Sequence, residues 1–273
     1  MAPEHPAICM GGNLKDPNVV YLTSRARSRG FQVLELPEAR LGLDWDYALH
    51  RGNADSGHIA IAAQRVATEE VAGFFVRLRT RRGTHGHPVA GVRDRLENDP
   101  GASLRQWLDS ISGVVVNRPS AGRHCGRGDG QLAWLAEAGF EVPAVRHRYI
   151  PGKDVRVHTV ADSTFATEIG SSGIGYQFHA ETSAYRPRVL PDRLAELCCR
   201  VAARERLWLA AFDFRVTVTE EWVCVGMDQE PNFAACERST GQPIADAILD
   251  LFEARCLASK ELDASDVLMA AVA

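Results

Sequence analysis

Residues 122–130, GRHCGRGDG, set His124 beside Cys125 just ahead of a stretch with helical character. An imidazole next to a thiol is the pairing that a cysteine nucleophile or a soft metal site needs, and His147 could join it. Nothing in the spacing demands either role. The glycines could also turn backbone N–H groups toward an anion at the helix start. The GK[ST] ending of a phosphate loop is missing, so a plain loop leading into a helix is the favoured reading. His85 and His87 lie in a polar loop and read as solvated. His158 alternates with Val157 and Thr159 and reads as a hydrogen-bonded strand residue. There is no GxSxG elbow to mark a serine nucleophile.

The basic residues are more telling. Of 31, only three are lysine: Lys15, Lys153 and Lys260. Arginine can replace lysine on a surface, but not where a mechanism requires the lysine ammonium. What arginine supplies is a planar fork that grips a carboxylate or phosphate through two parallel hydrogen bonds.

Composition narrows the field. Apolar residues make up 45% of the 273, charged residues 24%, and the formal net charge is −4. With a pI near 6.1, no global basic field points to nucleic acid or to a membrane surface. The apolar runs are far shorter than the roughly 18 residues that span a bilayer, and MAPEHPAICM lacks the pattern of a signal peptide. The seven cysteines are scattered without CxxC spacing, which points to reduced thiols and a cytoplasmic setting.

The elements that must position these residues can be read in outline. Ala7–Met10 and Gln32–Leu36 are expected strands around a helix with Asp16 as N-cap, Pro17 at its first position and Gly30 just past its end. Strands follow at Ile59–Ala62 and Gly73–Arg77, a loop over residues 79–100, a helix at Ser103–Ser112 and a strand at Val114–Val116. Asp129–Ala138 reads as a helix, and Asp154–Ile169 as a hairpin turning near Asp162–Ser163. Next come a helix at Asp192–Glu205 capped by Asp192, and a hairpin from Ala210–Val216 and Trp222–Met227. A last helix spans Gln242–Ala254.

Three segments together resemble ATP-grasp carboxylate–amine ligases related to peptide maturases. VVNRPSAGRHCGRGDGQLAWLAEAGFEVP (residues 115–143) is similar to the segment that opens the ATP-grasp domain. YIPGKDVRVHTV (149–160) is similar to the first strand of the C-terminal lobe. LWLAAFDFRVTVTEEWVCVGMDQEPNFAACERSTGQPIADAI (207–248) is similar to the terminal pattern of Asp-x-Arg, Glu-x-Asn and Thr-Gly-x-Pro-Ile-Ala. The resemblance implies a mixed α/β (α+β) fold: an open α/β pre-ATP-grasp domain over 1–118, a truncated ATP-grasp lobe with an antiparallel sheet over 119–258, and a tail over 259–273. Several tens of residues that form the family's nucleotide-gripping small lobe reduce here to Ala144–Arg148.

The resemblance also implies roles. Asp213 matches the first metal carboxylate and Arg215 the arginine after it. A gapless register puts the family's Glu on Gly226 and its Asn on Asp228. A shifted one puts Glu230-Pro231-Asn232 on Glu-x-Asn but needs a four-residue deletion, so the gapless register is preferred. Asp213, Asp228 and Glu230 are thus the candidate metal ligands, holding Mg²⁺ against ATP phosphates. Gly128 stands where the family carries a lysine, and Arg148 where it carries an acidic hinge residue. Arg77, Asp154, Arg156, Arg186 and Arg215 match residues lining the substrate cleft, with Arg156, Asp213 and Arg215 as the catalytic candidates. The alternative for each arginine is an ion pair with Asp154, Asp213 or Glu168.

The favoured expectation is a degenerate ATP-grasp protein, a pseudoenzyme for ligation, that keeps an arginine-lined carboxylate or peptide cleft. It would act as a repurposed enzyme or accessory subunit in peptide or specialised-metabolite biosynthesis. No cofactor is expected in that case. MgATP enters only under the alternative of an active ligase with an altered nucleotide site. A third reading is a dimeric interaction module. The partners are accordingly a small carboxylate or peptide, with a homodimer or a partner ligase possible.

Overall fold

The computed structural model describes residues 6–50, 53–78, 100–111, 113–125, 129–144, 149–170 and 184–255, with backbone alone at 49–50, 53–56, 100 and 129. Two compact units emerge: Met1–Pro119 with Leu249–Ala273, and Ser120–Ile248.

In the first unit, β1 (Ala7–Gly12) pairs in parallel with β2 (Gln32–Pro37) through α1 (Pro17–Ser28). Asp16 caps α1 as its sequence suggests, its Oδ1 accepting from the N–H of Asn18 at 2.8 Å and of Val19 at 3.4 Å. β6 (Val71–Arg77) and β7 (Val114–Val116) complete a parallel sheet in the order β2-β1-β6-β7. Between them, α2 (Pro100–Ser110) brings Trp107 edge-on to Phe74, with ring centroids 5.7 Å apart. A second sheet, not foreseen in the sequence beyond one strand, joins β3 (Trp45–His50), β4 (Asn53–Ile61) and β5 (Gln64–Ala67) as antiparallel neighbours. Tyr47 of β3 stacks on Trp107 at 4.6 Å.

The second unit is built on the five-stranded antiparallel sheet β10-β9-β8-β11-β12. Its strands are β8 (Lys153–Val160), β9 (Ser163–Gly170), β10 (Ala184–Pro187), β11 (Leu209–Val216) and β12 (Trp222–Asp228). α3 (Asp129–Ala138) and α4 (Asp192–Arg204) cover one face. Leu194, Leu197, Cys198, Val201 and Ala202 of α4 recur at helical spacing and pack with Val155, Val157, Phe212 and Phe214. Asp192 is the first helical residue and not the cap; Pro191 holds that position without a side-chain bond.

Because strand side chains alternate in direction, burying Val155 and Val157 against the helices sends Asp154, Arg156 and His158 to the opposite face. Short α5 (Ala234–Thr240) and α6 (residues 244–255) follow β12. Gly241 at φ 72° ends α5 in the left-handed region. Glu237 then caps α6 by accepting from the N–H of Ala245 at 2.7 Å. The Thr-Gly-x-Pro-Ile-Ala stretch is therefore a helix-to-helix turn.

Candidate functional site

Strand register decides what the candidate residues can do. β8 and β11 run antiparallel with Arg156 opposite Asp213 and Asp154 opposite Arg215. The tripeptides Asp-Val-Arg and Asp-Phe-Arg thus meet head to tail, and each arginine faces an aspartate. Arg156 donates from Nε to Asp213 Oδ1 at 2.8 Å and from an Nη to Oδ2 at 2.9 Å. This is a bidentate fork, with side chains only 9% and 14% exposed. The same guanidinium lies 3.9 Å from an oxygen of Asp228.

Arg215 is engaged more fully still. One Nη meets Asp154 at 2.7 Å, and its other nitrogens donate to the carbonyls of Ile150 and Gly152. It therefore staples the YIPG turn to the sheet. That turn needs its glycine: at φ 154°, a Cβ on Gly152 would lie 2.2 Å from the Val216 carbonyl oxygen.

On the other side of β11, Asp213 faces Gly226. In the gapless register this is where a second carboxylate would stand, and here there is no side chain. Asp228 lies one row away, opposite Ala211, and its Oδ1 accepts from the Glu230 N–H at 3.0 Å. Among the described residues no three His, Cys, Asp or Glu side chains are grouped to hold a metal. Among these residues Asp213, Asp228 and Glu230 are not grouped as a ligand set, and Arg156 binds both oxygens of Asp213.

The other candidates separate. Arg186 pairs across strands with Glu168, which pairs with Val155 on the helix-covered face. It is exposed there and does not share a face with Arg156. Glu168 is held by Lys153 at 2.9 Å and Arg188 at 2.7 Å. Arg77, at the end of β6 in the first unit, is buried with its guanidinium carbon 5.5 Å from the Phe75 ring centroid. Gly128, His147, Arg148, His85, His87 and Lys260 lie outside the described residues.

His124 and Cys125 form no nucleophilic pair. His124 Nδ1 contacts Glu205 at 2.7 Å and its ring stacks on Trp134 at 4.8 Å. Burial, with Glu205 and Asp228 nearby, pushes the Cys125 thiol up to about 12, far from a thiolate at neutral pH. Sequence reasoning missed the cover over the ion pair. Burial pushes the thiol of Cys236 on α5 up to about 11, against the pull of Arg156 and Thr167, with Asp213 adding to the rise. Thr167 Oγ1 donates to Gln242 Oε1 at 2.8 Å, and Gln242 Nε2 donates to the Ala166 carbonyl at 3.1 Å. The signal for that cover was the hydrophobic run around Phe233, whose helix is only seven residues long.

No family model and no curated protein sequence matches the chain. Solved structures do. The macrocyclase MdnC from Microcystis aeruginosa MRC, bound with precursor peptide MdnA, superposes with a TM-score of 0.68 at 14% identity, covering 90% of this chain and 99% of that one. A Chryseobacterium gregarium RiPP-associated ATP-grasp ligase, in complex with ADP and a leader and core peptide, gives 0.71 at 14% identity, covering 91% and 96%. D-alanine–D-alanine ligase from Bacillus anthracis, complexed with ATP, gives 0.52 at 10% identity, covering 94% and 98%. At these identities the likeness speaks to architecture, and on it the protein has the ATP-grasp fold.

Proposed function

We propose that this protein is a degenerate ATP-grasp member that works without ATP-dependent ligation, as an accessory or repurposed component of peptide-modifying biosynthesis. The observation that carries the reading is the closed Arg156–Asp213 fork beside Gly226. It commits a matched metal carboxylate and a matched substrate arginine to each other, and the strand position next to them has no second carboxylate. Ion pairs join Arg156 and Arg215 to Asp154, Asp213 and Asp228, so these pairs carry no surplus positive charge to draw in a triphosphate. Peptide involvement is supported by fold-level analogy to MdnC and the Chryseobacterium gregarium ligase, both seen with peptides. With Arg156 and Arg215 held by their own aspartates, a peptide carboxylate would have to displace an internal partner. Peptide binding in this reading therefore rests on the fold and not on an open guanidinium.

Thermal unfolding with MgATP, and separately with a panel of short peptides, tests the proposal. A ligand at 100 times its Kd adds about 2.7 kcal/mol of stability. The reading expects no MgATP response at millimolar concentration and a response to at least one peptide. An MgATP response would overturn it. The second reading, a ligase with an altered nucleotide site, draws on Asp228, which remains 42% exposed. It requires that an MgATP response vanish in both Asp213→Asn and Asp228→Asn.

A further inference from the structure

Arg27, Arg29, Arg40, Arg188 and Arg215 each meet a carboxylate. One surface of the second unit breaks that pattern. At the C-terminal end of α4, exposed Arg200, Arg204 and Arg206 gather with exposed Arg123 of the loop before α3, and among the described residues none of them forms an ion pair. Trp134 on α3 draws the group together. The Arg204 guanidinium carbon lies 5.8 Å from its ring centroid, and His124, next to Arg123, stacks on the same ring at 4.8 Å. Arg206 donates to the Ser120 hydroxyl at 3.3 Å. We propose that this patch docks an acidic segment of a partner protein, whose carboxylates take the guanidinium forks.

Four features carry it. Arg204 and Arg206 are held by neutral partners, a ring and a hydroxyl, which position a guanidinium without cancelling its charge. Glu205, between them in sequence, is only 5% exposed and is already occupied by His124, accepting from its backbone N–H at 3.1 Å and meeting its Nδ1 at 2.7 Å. Arg200 and Arg204 stand four apart on a helix, where like charges repel, and neither Glu196 one turn earlier nor Glu137 on α3 forms an ion pair with them. The negative end of a helix draws a cation to its last turn, which accounts for Arg204 but not for Arg123 on another element. A net charge of −4 gives no long-range field for a nucleic acid, whereas clustered guanidinium groups match a short run of carboxylates. Because α4 covers the face of the sheet opposite Arg156, the inference goes beyond the functional reading and needs neither a nucleotide nor an open Arg156.

The probe is a fluorescently labelled oligoglutamate peptide, with binding followed by anisotropy. The natural protein should bind it at low salt and release it as salt rises. Arg204→Gln with Arg206→Gln should weaken binding about tenfold or more. Lys15→Gln with Arg65→Gln, which removes the same charge elsewhere on the surface, should leave it unchanged. Should the first pair disturb the fold, as read by circular dichroism, Arg123→Glu with Arg200→Glu replaces it and should weaken binding by as much or more. Absence of binding by the natural protein, or equal loss in the Lys15 and Arg65 variant, would overturn the proposal. So would tighter binding of a single-stranded RNA of the same length that the Arg204 and Arg206 variant loses, since the patch would then serve a nucleic acid. None of these outcomes alters the expected lack of an MgATP response, so the two readings fail separately.

Discussion

Breaking the Arg156–Asp213 pair from each side distinguishes a structural ion pair from an arginine waiting for substrate. Both side chains are largely buried, and the fork makes two charge-assisted bonds of 2.8 and 2.9 Å. At an effective dielectric of about 20, unit charges roughly 4 Å apart attract by about 4 kcal/mol. Removing one partner alone also strands the other in a poor solvent, so Arg156→Met and Asp213→Leu should each cost about 3–5 kcal/mol. The double variant replaces both charges with apolar groups of similar size and should cost far less than the two single changes added together. Urea unfolding of the four proteins, followed by far-ultraviolet circular dichroism, gives the coupling energy. The geometry predicts about 3 kcal/mol or more, whereas an exposed pair gives about 0.2–1 kcal/mol. A coupling below about 1 kcal/mol would refute the reasoning, since Arg156 would then be hydrated and available to an outside anion.

Glu168 offers a pH test. Burial pushes its carboxyl up, but hydrogen bonds and charges from Lys153 and Arg188 outweigh this and leave it below its ordinary value. A lowered folded-state value stabilises above the unfolded carboxyl value of about 4.3 and is lost as pH falls through the folded one. Between about pH 5 and about pH 3 the natural protein should therefore lose more stability than Glu168→Gln, as read from urea midpoints. Thiol labelling of the native protein should spare Cys9, Cys198, Cys224 and Cys236, whose thiols burial pushes up. Cys199, only partly covered, should react before them, and peptide mass mapping after maleimide treatment would show the order. Gly152→Ala should destabilise by about 1–3 kcal/mol, because its Cβ meets the Val216 carbonyl, and denaturant unfolding measures the loss.

Much of the framework was legible because local signals agreed. Asp16-Pro17 opens α1, and the apolar spacing of residues 129–138 marks α3 end to end. The alternation around Val155 and Val157 gives β8, and its partner across the Ala161–Asp162 turn gives β9. The β3–β5 sheet was mostly hidden, since polar residues interrupt Asp44–Ala67 and only Ile59–Ala62 looks strand-like in isolation. The faces of the arginines were harder still. Which residue lies opposite which depends on strand pairing, and a one-residue shift reverses the face. Arg186 and Arg156 look equivalent in the chain, yet register puts them on opposite sides of one sheet. The aspartate–arginine order is the same in residues 154–156 and 213–215. Only antiparallel pairing turns those two sequences into mutually neutralising partners.

In a crystal structure of the natural protein grown with MgADP at millimolar concentration, the Arg156 fork should stay closed on Asp213 with no nucleotide bound. Density for Mg²⁺ on a turned-out Asp213, with ADP phosphates beside it, would show a working nucleotide site instead.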